Sequence, residues 1–555
     1  MQPVLNIEDV KKVERNLASV GVSISELMHR AGLAAAQEVM GIKDATSICV
    51  LVGFGNNGGD GWVAAEVLKQ AGYKVIVVSP APARELSSNL ARVVAEAAVA
   101  HGVEVVVAPP RELLEDILAE ADVCLDAMFG TGFHGEPTAP FDIWIDCVNF
   151  SGSYVVSVDV PSGLSAQTGH SAAGCIVADE TVTMLSLKPG LLADEARDVC
   201  GNIVVAPLAE QTEQLVLEAD PVAWRAEAQD YLQVIANPTA CQDKYSRGSV
   251  LVIGGSPRYP GAAIMAARAA ARAGVGYVTL AVPAPVVLVA QMHLVDIPVI
   301  GLPSDENGMF SEEAPEVAAK LAEKYSACLV GPGMGVNAST TKLVSSLLET
   351  DVPLIIDADG LNSLARLTSN RLDNFPELIR RNSAVILTPH ERELGRLMGL
   401  PDTPPDSLTS RMEAARRIIW AEGGGELVIV SKGTATACVG VEAALLPKPG
   451  PACLATAGSG DVLAGILLGL LGHARPANED LPIICSLACE VHGVAGALAT
   501  KKYGTSGVVA TDIIDQVGLA NDIMVQRATW VYDYSDTVKD PTDSSEPLEP
   551  EDIYA

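Results

Sequence analysis

The chain is short of aromatic and basic residues. Aromatics make up 4% of its 555 residues, and 37 Lys and Arg stand against 69 Asp and Glu, a formal charge of −32. With no basic stripe to offset that charge, a polyanion such as nucleic acid is excluded as a partner. No Gly-x-x-x-x-Gly-Lys-Ser/Thr segment occurs, so the glycine turns described below are not Walker A loops. The eleven cysteines form no Cys-x-x-Cys pair and lie in apolar runs, as at Cys49, Cys124 and Cys328, which reads as reduced thiols in a cytoplasmic protein. Cys485 and Cys489 have helical spacing, but only His492 follows them, so they read as core and not as metal ligands. The opening Met1-Gln-Pro-Val-Leu-Asn-Ile-Glu-Asp9 lacks the basic region and apolar core of a signal peptide. Arg268, Arg272 and Glu490 break the most apolar stretches short of the roughly 18 to 20 residues that span a bilayer, so no membrane segment is expected.

What is present is small and aliphatic. Ala, Val, Leu and Gly dominate a chain that is 49% apolar, which suits helices packed closely on parallel sheets. The length allows about three or four average domains, or equally two large α/β domains. After helical periodicity over 8–40, β-branched runs bounded by turns alternate with helices: 47–52, 74–78, 103–108, 123–126, 154–159 and 180–184. Near 210–230 the pattern turns polar and helical, and a second series begins: 249–253, 277–282, 327–330, 353–357, 384–388 and 427–431. The expected fold is a doubly wound α/β domain at 1–218, a second α/β domain at 225–520, and an acidic, Pro/Ser-rich tail at 521–555 that buries too little apolar surface to order.

Two glycine-rich turns carry the chemistry. The first, Gly53-Phe-Gly-Asn-Asn-Gly-Gly-Asp-Gly61, follows a strand and opens a helix, so bare backbone N–H groups and the helix N-terminus face a ligand. Its Gly-x-Gly-x-x-Gly is weak on its own. The next strand ends Val78-Ser-Pro80 without a carboxylate for a ribose, which argues against an ordinary Rossmann dehydrogenase. Two further strand ends bring oxygen groups: Asp126 in Asp126-Ala-Met-Phe-Gly-Thr-Gly132, and Asp159 with Ser162 in Ser157-Val-Asp-Val-Pro-Ser-Gly163. The plainer reading, aspartates that only cap the following helices, loses force when three such corners share one domain.

These motifs, with Leu27-Met-His-Arg-Ala-Gly32 and Val182 to Leu191 containing Lys188, resemble the NAD(P)H-hydrate epimerases. The resemblance implies that Asn56, Asn57, Gly58, Gly59 and Asp60, together with Gly130, Thr131, Gly132, Phe133, His134, Gly135 and Glu136, hold a hydrated dinucleotide. It also implies that Asn57, Asp126 and Ser162 ligate potassium, and that Asp159 faces the damaged nicotinamide ring as acid and base. Oxygen-only ligands suit such an ion. The chain departs from the family pattern at Phe54, where proline is common, and at Ser165 and Gln167, where acidic residues are usual.

The second turn, Thr456-Ala-Gly-Ser-Gly-Asp461, precedes an apolar helix. Successive N–H groups there form an anion hole for a phosphoryl group, with Asp461 placed to take a proton from the accepting hydroxyl, although the same aspartate could merely cap the helix. Its companions are Gly331-Pro-Gly-Met-Gly335, Asp357-Ala-Asp-Gly-Leu-Asn362, Leu387-Thr-Pro-His-Glu-Arg-Glu393 and Ser431-Lys-Gly-Thr-Ala-Thr436. His390 reads as a ligand contact in preference to a satisfied loop histidine. With Lys244 to Gly248 and Gly254 to Ala263, these motifs resemble the ADP-dependent NAD(P)H-hydrate dehydratases, which have a ribokinase-like fold.

This second resemblance implies that Ala263, Gly335, His390 and Asp461 contact the hydrate. Lys432, Gly433, Thr434, Ala435, Thr436 and Gly460 would hold the adenine nucleotide. The whole chain therefore resembles the bifunctional NAD(P)H-hydrate repair enzymes, and the partners implied are the hydrates NADHX and NADPHX, ADP with magnesium, and further copies of the chain in a homo-oligomer. Two competing readings remain at this point: a ribokinase-like small-molecule kinase fused to a nucleotide-binding module, and a first domain that binds without catalysing.

Overall fold

The computed structural model describes residues 1–235, 243–244, 246–368, 383–421, 426–474 and 481–536. Contacts divide the chain into two units, Gln2–Ala223 and a second that starts at Trp224 and includes Met1. The two α/β units read from the sequence, the first of them doubly wound, are the architecture observed.

In the first unit seven strands are all parallel, in the order Glu104–Val107, Lys74–Ser79, Ser47–Val52, Val123–Ala127, Tyr154–Val158, Glu180–Met184, Asn202–Ala206. The chain winds outward from Ser47–Val52 in one direction, then returns to start again at Val123–Ala127. Those two strands are neighbours, with Leu51 opposite Asp126, and the crevice beyond their carboxyl ends is where such sheets take ligands. Strand alternation builds a core on each face: Ile48, Val50 and Val52 pack with the helices Ile24–Gly41 and Asn56–Gln70, while Cys49 and Leu51 pack with Leu114, Leu118 and Trp144.

The strands of the second unit run Ala223–Arg225, Ala444–Leu445, Ala437–Val439, Leu427–Ser431, Val385–Leu387, Leu354–Ile356, Ala327–Val330, Ser249–Ile253, Tyr277–Pro283, Val299–Leu302. From Leu427–Ser431 to Val299–Leu302 they are parallel, and Ala437–Val439 turns back antiparallel. The helices Pro260–Arg272 and Ser459–Ala474 cover one face with their backbones nearly touching, since a Cβ on Gly465 would lie 2.2 Å from the Ala266 carbonyl oxygen. Small residues at that crossing let the helix bearing Asp461 sit low on the sheet. Short or partly exposed strands such as Asn202–Ala206, Val299–Leu302 and Ala444–Leu445 lack a long buried run, so the sequence reading passed over them.

Two expectations need correction. The acidic tail does not begin at 521: the helix Ala510–Asp536 runs on through it, with Ala520, Met524 and Ala528 buried at a spacing of four. The acidic, Pro/Ser-rich composition of the segment that follows masked that inner stripe, and residues 537–555 lie outside the described residues. The helix Leu481–Tyr503 is also long and apolar enough, by length and composition, to cross a membrane, despite Glu490. It is apolar because 83% of its most apolar window is buried inside the unit. The division between units falls between Ala223 and Trp224, inside the interval 219–224 that lies between the two expected domains. The ten described cysteines are all buried and unbonded.

Candidate active sites

In the first unit a cleft of about 680 Å³ opens at the carboxyl ends of the strands. Asn56, Asn57, Asp60, Gly130, Thr131, Gly132, Phe133, His134 and Asp159 line it. Gly58 and Gly59 do not. They are buried behind it, where a Cβ on Gly58 would lie 2.2 Å from the Gly53 carbonyl oxygen, so they let the helix Asn56–Gln70 start hard against the strand end. Gly135 and Glu136 are not among the lining residues either, and the Glu136 carboxylate accepts from the Ala173 N–H at 3.0 Å.

Asp126 and Ser162 lie beneath the cleft. The fully buried Asp126 carboxylate accepts from the Ser162 hydroxyl at 2.6 Å and N–H at 2.8 Å, from the Ser157 hydroxyl at 2.9 Å and from the Met128 N–H at 3.2 Å. Burial raises its pKa, and those four donors work in the opposite direction. The Phe129 N–H donates to Ser162 Oγ at 2.9 Å, and a Cβ on Gly130 would lie 3.2 Å from the Asn57 side chain. The backbone of Phe129 and Gly130 thus brings Asn57, Asp126 and Ser162 to one corner. Asn57 Nδ2 is buried there without a hydrogen-bond partner.

Asp159 adopts φ +69°, which turns its side chain back over the strand end. Its Oδ1 takes a 2.6 Å bond from Lys188 Nζ, and its Oδ2 accepts from the Thr131 N–H at 3.3 Å. Lys188 is wholly buried and donates its other protons to Thr183 Oγ1 at 2.7 Å and the Met184 carbonyl at 2.8 Å. Asp60 is held well above the usual carboxylate range by burial, by Asp159 and by Glu14. Glu14 and Lys188 also line the cleft, and neither was among the candidate site residues. Lys188 had a signal, its place in a matching motif; Glu14, one polar residue on an amphipathic helix, had none.

In the second unit Lys432 is the hub. Its Nζ donates to Asp357 Oδ1 at 2.8 Å, and a Cβ on Gly460 would lie 3.6 Å from it. Burial works against its ammonium, but Asp357, Glu393 and Asp461 outweigh that, and its pKa lies above the usual value. Asp357 is buried and also takes the Thr388 hydroxyl at 2.7 Å. Asp461, in the first turn of the helix Ser459–Ala474, is pushed up to about 7 by burial and by Asp357, with Lys432 acting the other way. Next to it, Ser459 Oγ meets Nε2 of the buried His492 at 3.1 Å.

His390 caps the helix Glu391–Leu397: its Nδ1 accepts from the N–H groups of Arg392 at 3.1 Å and Glu393 at 3.4 Å. Burial and then Lys432 lower its pKa to about 4, so the ring is neutral near pH 7 and can accept those bonds. The satisfied-histidine reading therefore accounts for Nδ1. Gly335 donates its N–H to Asp359 Oδ2 at 2.9 Å, and Ala263 is fully buried, with Gly254 close above it. The Gly433 to Thr436 loop rests on Arg411, which donates to the Ala435 carbonyl at 2.6 Å, while the Thr436 hydroxyl bonds the Gly433 carbonyl at 3.3 Å. Sequence reading missed Glu393, whose pKa burial raises to about 7, and His492. The capping-box spacing from His390 to Glu393 was the only signal for the former.

The arrangement can be compared with known proteins. A family model described as NAD(P)H-hydrate dehydratase matches residues 250–518, and one described as YjeF-related protein N-terminus matches 24–190. The chain is 32% identical over 541 residues to the bifunctional NAD(P)H-hydrate repair enzyme Nnr of Hyperthermus butylicus, covering 96% of this chain and 94% of that one. It is 34% identical to the enzyme of the same name from Pyrobaculum aerophilum (93% and 97%) and 31% identical to that of Escherichia coli (91% of each). Among solved structures, an ADP/ATP-dependent NAD(P)H-hydrate dehydratase from Bacillus subtilis, co-crystallized with ATP/Mg2+, is 25% identical, with a TM-score of 0.44, over 53% of this chain and 97% of that one.

Proposed function

Because the chain belongs to the family of bifunctional NAD(P)H-hydrate repair enzymes, we propose how its own residues divide the two halves of that repair. The chain interconverts the R and S hydrates of NADH and NADPH at C6, and dehydrates the S hydrate with ADP, releasing AMP and phosphate. The observation that carries the reading is the end-to-end likeness to the bifunctional relatives in a chain with one acidic, glycine-bounded site in each unit.

In the first unit the hydrated ring enters the cleft beside Asp159, which serves as proton acceptor when the C6–O bond re-forms. Lys188 pairs with that carboxylate and fixes its position. Asn57, Asp126 and Ser162 would hold potassium. Supporting the fit is the oxygen-rich corner, where the Ser162 hydroxyl and the Asp126 carboxylate lie 2.6 Å apart. The ion would supply a fixed positive charge to the dinucleotide's phosphates.

In the second unit Asp461 removes the proton of the C6 hydroxyl as that oxygen attacks the β-phosphoryl group of ADP, with AMP leaving. The free N–H groups at the start of the helix Ser459–Ala474 and the Lys432 ammonium stabilise the transferring charge. Phosphate is a far better leaving group than hydroxide. The ring-nitrogen lone pair expels it, and loss of a neighbouring ring proton restores the reduced nicotinamide. Magnesium would arrive on the nucleotide's phosphates, with one or two carboxylates at most. The loop 432–436 would hold the adenine nucleotide, and Gly335, Ala263 and His390 would flank the hydrate.

The test is to incubate the purified chain with mixed R and S hydrates, with ADP, with ATP and with neither. Epimer ratio should relax without nucleotide, and reduced-cofactor absorbance should return only with it. A stable phosphorylated product with no recovery of absorbance would favour a kinase instead.

A further inference from the structure

The matched N-terminal family segment begins at residue 24, yet the helix Ile7–Ser19 ahead of it forms part of the cleft through Val10, Lys11 and Glu14. That helix is fastened at its start. Gln167 donates from Nε2 to Asn6 Oδ1 at 2.8 Å and accepts the Ile7 N–H at 3.0 Å, while the Leu5 N–H bonds the Leu187 carbonyl at 3.0 Å. Leu187 directly precedes Lys188, so the anchor of the helix and the counter-ion of Asp159 share one stretch of backbone. Val13 and Leu17 are buried on the inner side of the helix, which fixes its rotation.

Resting on the epimerase reading, we propose that Glu14 is a second catalytic residue of the first unit: the acid that protonates the departing C6 hydroxyl, with Asp159 as the base on the returning water. The two known groups cannot supply that proton well. All three Lys188 protons are engaged, and Asp159 is bonded to that ammonium as its charged partner. Glu14, by contrast, shows no side-chain hydrogen bond within the described structure and stays exposed on the wall of the cleft, where partial desolvation and the Asp159 charge raise its pKa against the pull of Lys188, Lys11 and Arg15.

The chemistry balances without a co-reactant. A proton passes from Glu14 to the hydroxyl oxygen, the C6–O bond breaks as the ring-nitrogen pair forms the N=C6 bond, and water departs. Water then adds to the other face of C6, the N=C6 pair returns to nitrogen, and Asp159 takes the released proton. Asp60, which lines the same cleft as Glu14 and Asp159, relays that proton back to Glu14. No net proton, electron or water is consumed.

The experiment measures R-to-S conversion by Glu14→Gln and Glu14→Asp in the full chain, as kcat and KM over a range of pH. Dehydration of pure S hydrate by the same preparations reports folding. Glu14→Gln should lower kcat for epimerisation by about 10² to 10⁴-fold with KM little changed, and abolish the fall in rate at high pH that marks a required acid. Glu14→Asp should restore part of the rate and that fall. A Glu14→Gln chain that epimerises within threefold of the parent, or that changes KM alone, overturns the assignment. If the parent chain itself failed to epimerise, it is the epimerase reading that would fall.

Discussion

Lys188 Nζ lies 2.6 Å from Asp159 Oδ1, and both side chains are withdrawn from water, the lysine wholly and the aspartate to 14% exposure. With all three of its protons engaged, Lys188 ties Asp159 to Thr183 and the Met184 carbonyl, so its replacement tests how far that pairing holds the site.

Lys188→Met should leave Asp159 and Thr183 without their donor. Breaking a buried pair from one side costs about 3 to 5 kcal/mol, so the first unit should unfold at distinctly lower denaturant concentration. Epimerisation should fall with it. Dehydration of pure S hydrate should persist below the new midpoint, and an unchanged midpoint would show that the pair is not holding the site.

The two aspartates should separate by substitution. Asp461→Asn keeps size and hydrogen bonding but removes the base, so ADP-driven repair should drop roughly 10² to 10⁴-fold while the epimer ratio still relaxes. Asp159→Ala should show the reverse and still dehydrate pure S hydrate. Loss of both reactions in either folded variant would rule out two independent sites.

The pH profile of dehydration should carry the mark of Asp461. A base must be ionised, so with its pKa about 7 the rate should climb through that pH and level above it. Glu393 is raised to about the same value, and Glu393→Gln discriminates between them: the limb should survive that substitution if it belongs to Asp461. The linked effect on stability follows from proton counting. Both carboxyls hold protons in the native state that the unfolded chain has released above its ordinary pKa, so they stabilise the fold at low pH and cease to as pH rises through about 7. His390 and His492, lowered to about 4, act oppositely, adding stability as pH rises from about 4 through 6.5. Thermal melts of the second unit should accordingly fall most clearly just above pH 6.5, where the histidine contribution has ended.

Potassium should be found beside Asn57, Asp126 and Ser162. Anomalous scattering from crystals grown with the ion, or with its heavier congener rubidium, reads this directly, and Asp126→Ala should lose both the peak and epimerisation. A tetrahedral ion with nitrogen or sulfur ligands at that corner would refute the assignment.

The glycine turns and their aspartates were legible because each is a local event. A β-branched run ends, a glycine allows the backbone to turn close to its neighbour, and Asp126, Asp159 or Asp461 stands at the strand end or helix start where parallel sheets present ligands. The two sheets could be read for the same reason, as runs such as Ser47–Val52 and Ser249–Ile253 are too apolar to lie anywhere but inside. Single residues on mixed faces could not be read: Met524 and Ala528 belong to a buried stripe that stops just ahead of the acidic, Pro/Ser-rich end of the chain.

By itself the sequence determined the succession of strands and helices, the two families of turn and the residue types that carry charge, since these depend on neighbours a few positions away. Only the tertiary structure decided that Lys432 neutralises Asp357, seventy-five positions earlier, that His390 spends Nδ1 on a helix start, and that Glu14 is brought to the Asp159 cleft by bonds from Gln167 and Leu187. Desolvation and charge pairing arise from distances between remote segments, and no local pattern encodes those distances.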